Sequence, residues 1–264
     1  MEDRIFAENM RKDILTSAFK AGNNGAHIAP SLSCVEILAA LYNGILKYNK
    51  SDPFDEARDR LILSKGHAGL ALYAALYEAG LISQKDYDSF EENGGDFPGQ
   101  PSKNIEKRIE FSGGSLGMGL SYGIGLALAG RRVFVILGDG ECNEGSIWES
   151  AMFAGHRKIQ DLTVIVDLNG MQADGKSADI LTFDIKKMWE ACGWIVEECN
   201  GHDIQALKSK LSQRYDHPKV ILAHTVKGKG VSFMENAREW HHGKLTQAQL
   251  TQAISEITGG DYGN

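Results

Sequence analysis

The stretch LGDGECNEGSIWESAMFAGHRKIQDLTVIVDLNGMQADGK, Leu137 to Lys176, decides the fold. It begins at the end of an apolar run, RRVFVILGDG (Arg131 to Gly140), in which Gly138 and Gly140 flank Asp139. Glycine on both sides lets a ligand or another backbone come close, so the carboxylate is presented at a strand end. GSIWESAMFAGHRK then reads as a helix, and the β-branched run LTVIVDLNG delivers Asn169 at the end of the next strand. Parallel pairing of the two strands brings Asn169 beside Asp139. One carboxylate, one amide oxygen, a main-chain carbonyl and phosphate oxygens together make a shell for magnesium or calcium. The layout is therefore that of a metal site that grips a diphosphate. Taken singly, a GDG is an ordinary turn and a strand-terminal Asn is often a cap. The pair at this spacing, at two predicted strand ends, favours the site.

Outward from this unit, strands are predicted near Arg60 to Ser64, Arg132 to Gly138, Leu162 to Leu168, Trp194 to Asn200 and Lys219 to Val226, with helical patterns between them. That alternation predicts an α/β fold with an open, mainly parallel, doubly wound sheet flanked by helices, in which ligands gather at the carboxyl ends of strands. A length of 264 residues and 42% hydrophobic content give ample core for one domain spanning residues 1–264. The helical N-terminus, to about Lys47, is expected to pack outside. GGDFPGQPSKN (Gly94 to Asn104) is the longest turn-rich stretch and is expected to be an active-site loop.

The GDG and the Asn thirty positions later resemble the metal motif of thiamine-diphosphate enzymes. NNGAHIAPSLSCVEILAALYNGIL (Asn23 to Leu46) and DRLILSKGHAGLALYAALYEAG (Asp59 to Gly80) look like transketolase, and the resemblance covers nearly the whole chain. It implies that Asp139, Asn169 and the main-chain carbonyl of Met171 hold the metal. It places His27 along the substrate channel and His67, in the Ser-x-Gly-His segment, against the cofactor diphosphate. IEFSGGSLGMGLSYGIGLALAG (Ile109 to Gly130) is similar to the glycine segment that holds the aminopyrimidine end, through Gly114, Ser115 and Leu116. By its residues alone, that glycine density serves ligand approach or tight helix packing equally well. It lacks the preceding strand and spacing of a dinucleotide fingerprint, so a nicotinamide cofactor is not expected. Gly138 and Gly140 join the cofactor contacts, and Glu144 matches an acidic residue that links active sites across a subunit interface. At a helix start, a carboxylate is also simply favoured by the helix dipole. AHTVKGKGVSFMENAREWHHGKLT resembles the segment closing over the diphosphate, with His242 as the matching histidine and His241 its neighbour. His242 is also a candidate for proton transfer to sugar oxygens. Lys227 and Lys229 are given no role.

One departure concerns PGQP, where transketolases usually carry Pro-Gly-His-Pro. Gln100 then stands at the substrate-facing position; it does not titrate, but it donates and accepts hydrogen bonds. The resemblance covers only the module that binds cofactor phosphate. Transketolases add a pyrimidine-binding module, whose glutamate protonates the cofactor ring, and no segment here matches it. The expectation is the N-terminal subunit of a split transketolase. It would use thiamine diphosphate and Mg²⁺ (or Ca²⁺) and would need a separate C-terminal subunit, two copies of each chain forming a heterotetramer. Its reaction would move a two-carbon ketol unit from a ketose phosphate, or a related anionic ketose, to an aldose.

Two other readings share features of the chain. The α-type subunit of a 2-oxo acid dehydrogenase, or a deoxyxylulose-phosphate synthase relative, has the same GDG-to-Asn layout, but SKGHAG and WHHGK favour transketolase. A non-catalytic regulatory module is disfavoured by retention of both oxygen ligands. The net charge of −7 predicts no dedicated nucleic-acid surface. Cys34, Cys142, Cys192 and Cys199 have no CxxC spacing, which fits a reduced cytoplasm without zinc knuckle or redox pair. No signal segment is expected, and no stretch approaching the roughly twenty apolar residues of a membrane helix.

Overall fold

The protein is described by a computed structural model over residues 1–259. Five strands form one parallel sheet: β1 (Arg60–Leu63), β2 (Val133–Gly138), β3 (Leu162–Leu168), β4 (Ile195–Asn200) and β5 (Lys219–His224), in the order β1-β2-β3-β5-β4. Helices α1 (Glu2–Lys20), α2 (Ile28–Leu32) and α3 (Val35–Ala40) precede the sheet; α4 (Gly69–Glu78), α5 (Gln84–Asp88) and α6 (Met118–Leu128) join β1 to β2. Helix α7 (Gly145–His156) joins β2 to β3, α8 (Ser177–Ile180) and α9 (Ile185–Ala191) lead to β4, α10 (Ile204–Ser212) leads to β5, and α11 (Gln247–Gly259) follows.

Both faces of the sheet are covered, which is why the strands are apolar at consecutive positions. Phe134, Ile136, Ile165 and Ile221 point into one core, shared with α1 to α4 and α11. Val133, Val135, Leu137, Val164 and Val166 point into the other, with Ile124 of α6, Ile147 of α7 and Trp189 of α9. The period-two alternation of the strand assigns each residue to a layer.

Four of the five strands match expectation to within one residue at each end, and β5 stops two residues early, at His224 rather than Val226. There the main-chain N–H of Val226 donates to Nε2 of His202 (2.8 Å), and Thr225 N–H to the Leu168 carbonyl (3.2 Å), so the ladder ends on a side chain. The N-terminal expectation needs correction. Residues 28 to 42 are buried throughout rather than forming an outer layer, because α1 covers α2 and α3 from outside. The expectation that no stretch suits a membrane span also fails on length and composition: Ile28–Ile45 is long and apolar enough, yet 83% of it is buried within the fold. Its helix is interrupted, with non-helical backbone at Asn43 and Gly44.

Candidate functional site

The turns after β2 and β3 meet. Asp139 accepts from the N–H of Gly140 through Oδ1 (2.8 Å), and from the N–H of Gly170 (2.7 Å) and the Ser177 hydroxyl (3.1 Å) through Oδ2. Gly170 has φ +73°, a conformation that favours glycine, and this turns its N–H toward the carboxylate. The Asn169 amide is oriented from both sides: Nδ2 donates to Asp167 Oδ2 (3.2 Å), and Oδ1 accepts from Met171 N–H (3.0 Å). The predicted ligands Asp139, Asn169 and Met171 thus lie on two touching turns.

The donor chemistry here suits a divalent ion. Asp139 is only 8% exposed, and its pKa is raised, first by burial and then by the neighbouring Asp167 charge, against the bonds from Gly140, Gly170 and Ser177. A cation beside it offsets both penalties. Among the described residues no three His, Cys, Asp or Glu side chains form a metal cluster, so an ion held here needs further oxygens from a ligand, as a diphosphate provides.

Four histidines gather in one place. His27 lies 4.6 Å from His242, 5.4 Å from His241 and 5.8 Å from His67 between ring centroids, and His67 lies 5.3 Å from His241. The segments bearing them are tied by a two-bond bridge, Ala26 N–H to the Gly243 carbonyl (2.9 Å) and the reverse (3.0 Å). At Gly25, φ +69°, a Cβ would fall 2.9 Å from the His242 ring, so glycine permits this approach. Burial holds His27, His241 and His67 neutral. It lowers His27 to about 4, helped by His242 and Lys227, and His241 to about 3, helped first by Lys227. Burial and then the Lys65 charge put His67 well below the usual histidine range.

The glycine segment packs directly on the His67 turn. A Cβ at Gly113 would sit 2.7 Å from the Gly66 Cα, and one at Gly66 would sit 2.8 Å from the Gly113 Cα. Gly114 (φ +122°) lies under Gln100, whose Oε1 is 3.0 Å from where a Cβ would be. The turn-rich loop therefore carries Gln100 to the glycine segment, as Tyr73 Oη donates to the Pro98 carbonyl (2.8 Å) and Gly113 N–H to that of Pro101 (2.8 Å). Gly114 and Ser115 are exposed and Leu116 half-buried. Glu144 is exposed at the start of α7, its Cβ against Gly117.

Sequence reading missed four buried charged residues. Glu141, 2% exposed, accepts from the Ser64 hydroxyl, from Gly117 N–H (2.8 Å) and from Gly138 N–H (3.1 Å), joining three separate motifs. Lys65 and Asp167 form a fully buried ion pair. Lys227, given no role above, is 2% exposed and donates to the Gln172 carbonyl (3.0 Å) and to His241 (2.9 Å). Nothing local marks them in the sequence: each is a charge in a turn or at a strand end, where charges are usually solvated. Lys229, by contrast, is the surface partner of Glu235 at 3.6 Å. A separate cavity of about 600 Å³, lined by Arg11, Glu36 and His202, opens at the ends of β4 and β5 and holds none of the predicted site residues.

A parallel sheet whose β2 and β3 turns meet through Asp139 and Gly170, and are tied through Lys227 to a histidine cluster, has the layout of a diphosphate-binding α/β module. Residues 9–261 match the transketolase thiamine diphosphate binding domain, and the chain belongs to the transketolase family. It is 36% identical over 262 residues to one of the subunits of apulose-4-phosphate transketolase from Phocaeicola vulgatus, covering 96% of this chain and 92% of that one. It is 39% identical over 241 residues to the 6-deoxy-6-sulfo-D-fructose transketolase subunit SqwG of a Clostridium species, covering 88% of each. Human transketolase is 32% identical over 259 residues, but the chain spans only 41% of it. The transketolase structure from Leishmania mexicana superposes with a TM-score of 0.89 at 26% identity, over 99% of this chain and 42% of that one. The chain is thus an enzyme subunit of transketolase type, corresponding to the N-terminal part of the larger enzymes and, in extent, to the short subunits of the apulose-4-phosphate and sulfofructose transketolases.

Proposed function

We propose that this chain is the N-terminal half of a transketolase that transfers a two-carbon ketol unit from a ketose phosphate or related anionic ketose to an aldose. The observation that carries this reading is the meeting of the Asp139 and Asn169 turns beside the cluster of four histidines. Asp139, Asn169 and the Met171 carbonyl would hold Mg²⁺ or Ca²⁺. His67 and His242 would hold the diphosphate, with the Gly138 and Gly140 backbone close by, and Gly114, Ser115 and Leu116 the aminopyrimidine end. When bound, thiamine diphosphate supplies the electron sink for breaking and making the carbon–carbon bond.

The chain's own groups bind, orient and move protons. A neutral His27 accepts or donates at a sugar hydroxyl, and its low pKa keeps it uncharged at working pH. His242, beside it, is the second candidate for that proton. Gln100, on its loop, orients a hydroxyl without titrating. The relatives' names include apulose-4-phosphate and 6-deoxy-6-sulfo-D-fructose, which supports an anionic ketose without selecting one.

The site would form one wall of a groove whose opposite wall comes from a pyrimidine-binding partner subunit, two copies of each chain making a heterotetramer. Exposed apolar side chains support this. Met118 and Leu128 of α6 and Met152 and Phe153 of α7 are 46–56% exposed, on the two helices that flank Glu144. Large apolar side chains grouped on adjoining helices mark interaction surfaces. A cytoplasmic location fits the four free cysteines.

Titration calorimetry of thiamine diphosphate with Mg²⁺ into the co-purified complex tests the reading. Asp139→Ala should weaken binding at least about 100-fold, in line with losing a charged metal ligand. The single chain should give no turnover. Full affinity in Asp139→Ala, or robust turnover by the chain alone, overturns the proposal.

A further inference from the structure

Glu141 brings a buried acid between three segments of the site. Its carboxyl group, 2% exposed, accepts through Oε1 from the Ser64 hydroxyl and from Gly117 N–H (2.8 Å), and through Oε2 from Gly138 N–H (3.1 Å). Ser64 Oγ in turn accepts from Gly119 N–H (3.1 Å). A protonated Glu141 would have to donate to Ser64, and the Ser64 hydroxyl proton would then lack an acceptor, so this network is complete only with a carboxylate. Among the described residues no cation pairs with it within 4.0 Å. Burial raises its pKa, and the bonds from Ser64, Gly117 and Gly138 act against that rise. The N-terminus of α6 compensates the charge. Gly117 is the N-cap of α6 and has no side chain to serve the open N–H groups of the first turn. Glu141 and Ser64 serve them instead, placing a negative charge where the helix dipole favours one.

We infer that Glu141 is a positioning residue: its ionised carboxylate caps α6 and ties the turn at residues 114–117 to the end of β2, setting how far the segment for the cofactor's ring end stands from the turn for its diphosphate. The two ends of the tie differ in freedom. Gly138 is the last residue of β2, in register with Asp167, so the sheet holds it. Gly117, with φ +86°, follows Gly114, Ser115 and Leu116 in a turn outside the sheet. It also packs on the start of α7, where an added Cβ would meet Ser146 Oγ at 2.3 Å and the Glu144 Cβ at 2.9 Å. Losing the carboxylate therefore releases the glycine turn and leaves the strand in place. A ligand that spans both segments should suffer, and one that fills only the diphosphate end should not. Thiamine diphosphate is the first kind and inorganic pyrophosphate the second. The ligand part rests on the cofactor reading above. The tie itself does not, since Glu141, Ser64, Gly117 and Gly138 all belong to this chain.

The test pairs NMR of the full chain, labelled with ¹⁵N at glycine and ¹³C at glutamate, with calorimetry on the co-purified complex. In the wild type at neutral pH, Glu141 should give the ¹³C signal of a carboxylate. Glu141→Gln turns an amide N–H₂ toward at least one of the donors, so the Gly117 amide proton should move upfield and exchange at least about tenfold faster. In the complex, Glu141→Gln should weaken thiamine diphosphate with Mg²⁺ at least about tenfold, as for loss of a hydrogen bond to a charge, and pyrophosphate with Mg²⁺ less than about twofold. Ser64→Ala should weaken thiamine diphosphate in the same direction, and the double variant should cost less than the two single losses together. A Glu141 that only stabilises the fold would lower the melting temperature and leave the ratio of the two affinities unchanged, and that result overturns the inference. A protonated Glu141 in the wild-type spectrum overturns it too, and decides even if Glu141→Gln does not fold. An unmoved Gly117 amide in folded Glu141→Gln has the same force. Failure of thiamine diphosphate to bind the wild-type complex would sink the cofactor reading, and the Gly117 amide would still decide the tie.

Discussion

Lys65 and Asp167 form an ion pair beneath the turns that carry Asp139 and Asn169, with side chains 1% and 0% exposed. Asp167 lies in register with Gly138 and also accepts from the Ser33 hydroxyl (2.6 Å), the Thr225 hydroxyl and Asn169 Nδ2 (3.2 Å). Burial alone would raise its pKa, but the Lys65 charge and these bonds hold it below the usual carboxylate range. The same residue orients the Asn169 amide, so stability and site geometry share one carboxylate. Asp167→Ala should destabilise the chain by about 3–5 kcal/mol, because it leaves Lys65 charged and buried without a partner. The double variant Lys65→Met, Asp167→Leu should recover more than half of that loss in urea denaturation. Equal loss in both would show that the ion pair is not the cause.

Asp13 of α1 gives a pH dependence of known sign. Burial, then the charge of Glu78 on α4, raises its pKa to about 7, and among the described residues no donor reaches its Oδ2. The folded state therefore binds a proton that the unfolded chain, near 3.8, does not hold. Its stabilising contribution is complete at low pH and is lost as pH rises through about 7. Asp13→Asn should raise the urea midpoint at pH ~8 more than at pH ~5, where the wild-type carboxyl is already neutral. An equal change at both pH values would contradict this ionisation.

Gly113→Ala tests the contact between the two glycine turns. The new Cβ meets the Gly66 Cα at 2.7 Å, and both residues lie on turns that carry candidate site residues. Overpacking of this kind costs about 1–3 kcal/mol. Thermal denaturation should show that loss, and cofactor affinity should fall with it, since His67 must shift. Wild-type values for both would mean the turns are free to separate.

Met152→Asp places a charge on the exposed face of α7, at a residue 56% accessible. The isolated chain should keep its melting temperature within about 1 °C, as surface changes usually alter stability by under ~0.5 kcal/mol. Co-purification with the partner subunit should fail or weaken sharply. Undiminished association would move the interface elsewhere.

The sequence by itself determined the layers and the two turns that carry Asp139 and Asn169. Apolar runs ending in glycine or asparagine fix strand ends, because both faces of a parallel sheet must be buried and the backbone must turn immediately after. Asp139, Asn169, His27 and His67 were legible for that reason, each standing in a short motif with its own geometry. Only the tertiary structure decided what lies beneath them. Lys65, Asp167, Glu141 and Lys227 act on partners far away in sequence, and a lone charge carries no local sign of whether it will be solvated or buried. The same holds for the two adjacent histidines near the C-terminus. Resemblance chose His242, while packing placed His241 against Lys227 and His67, since ring contacts depend on how the chain crosses itself.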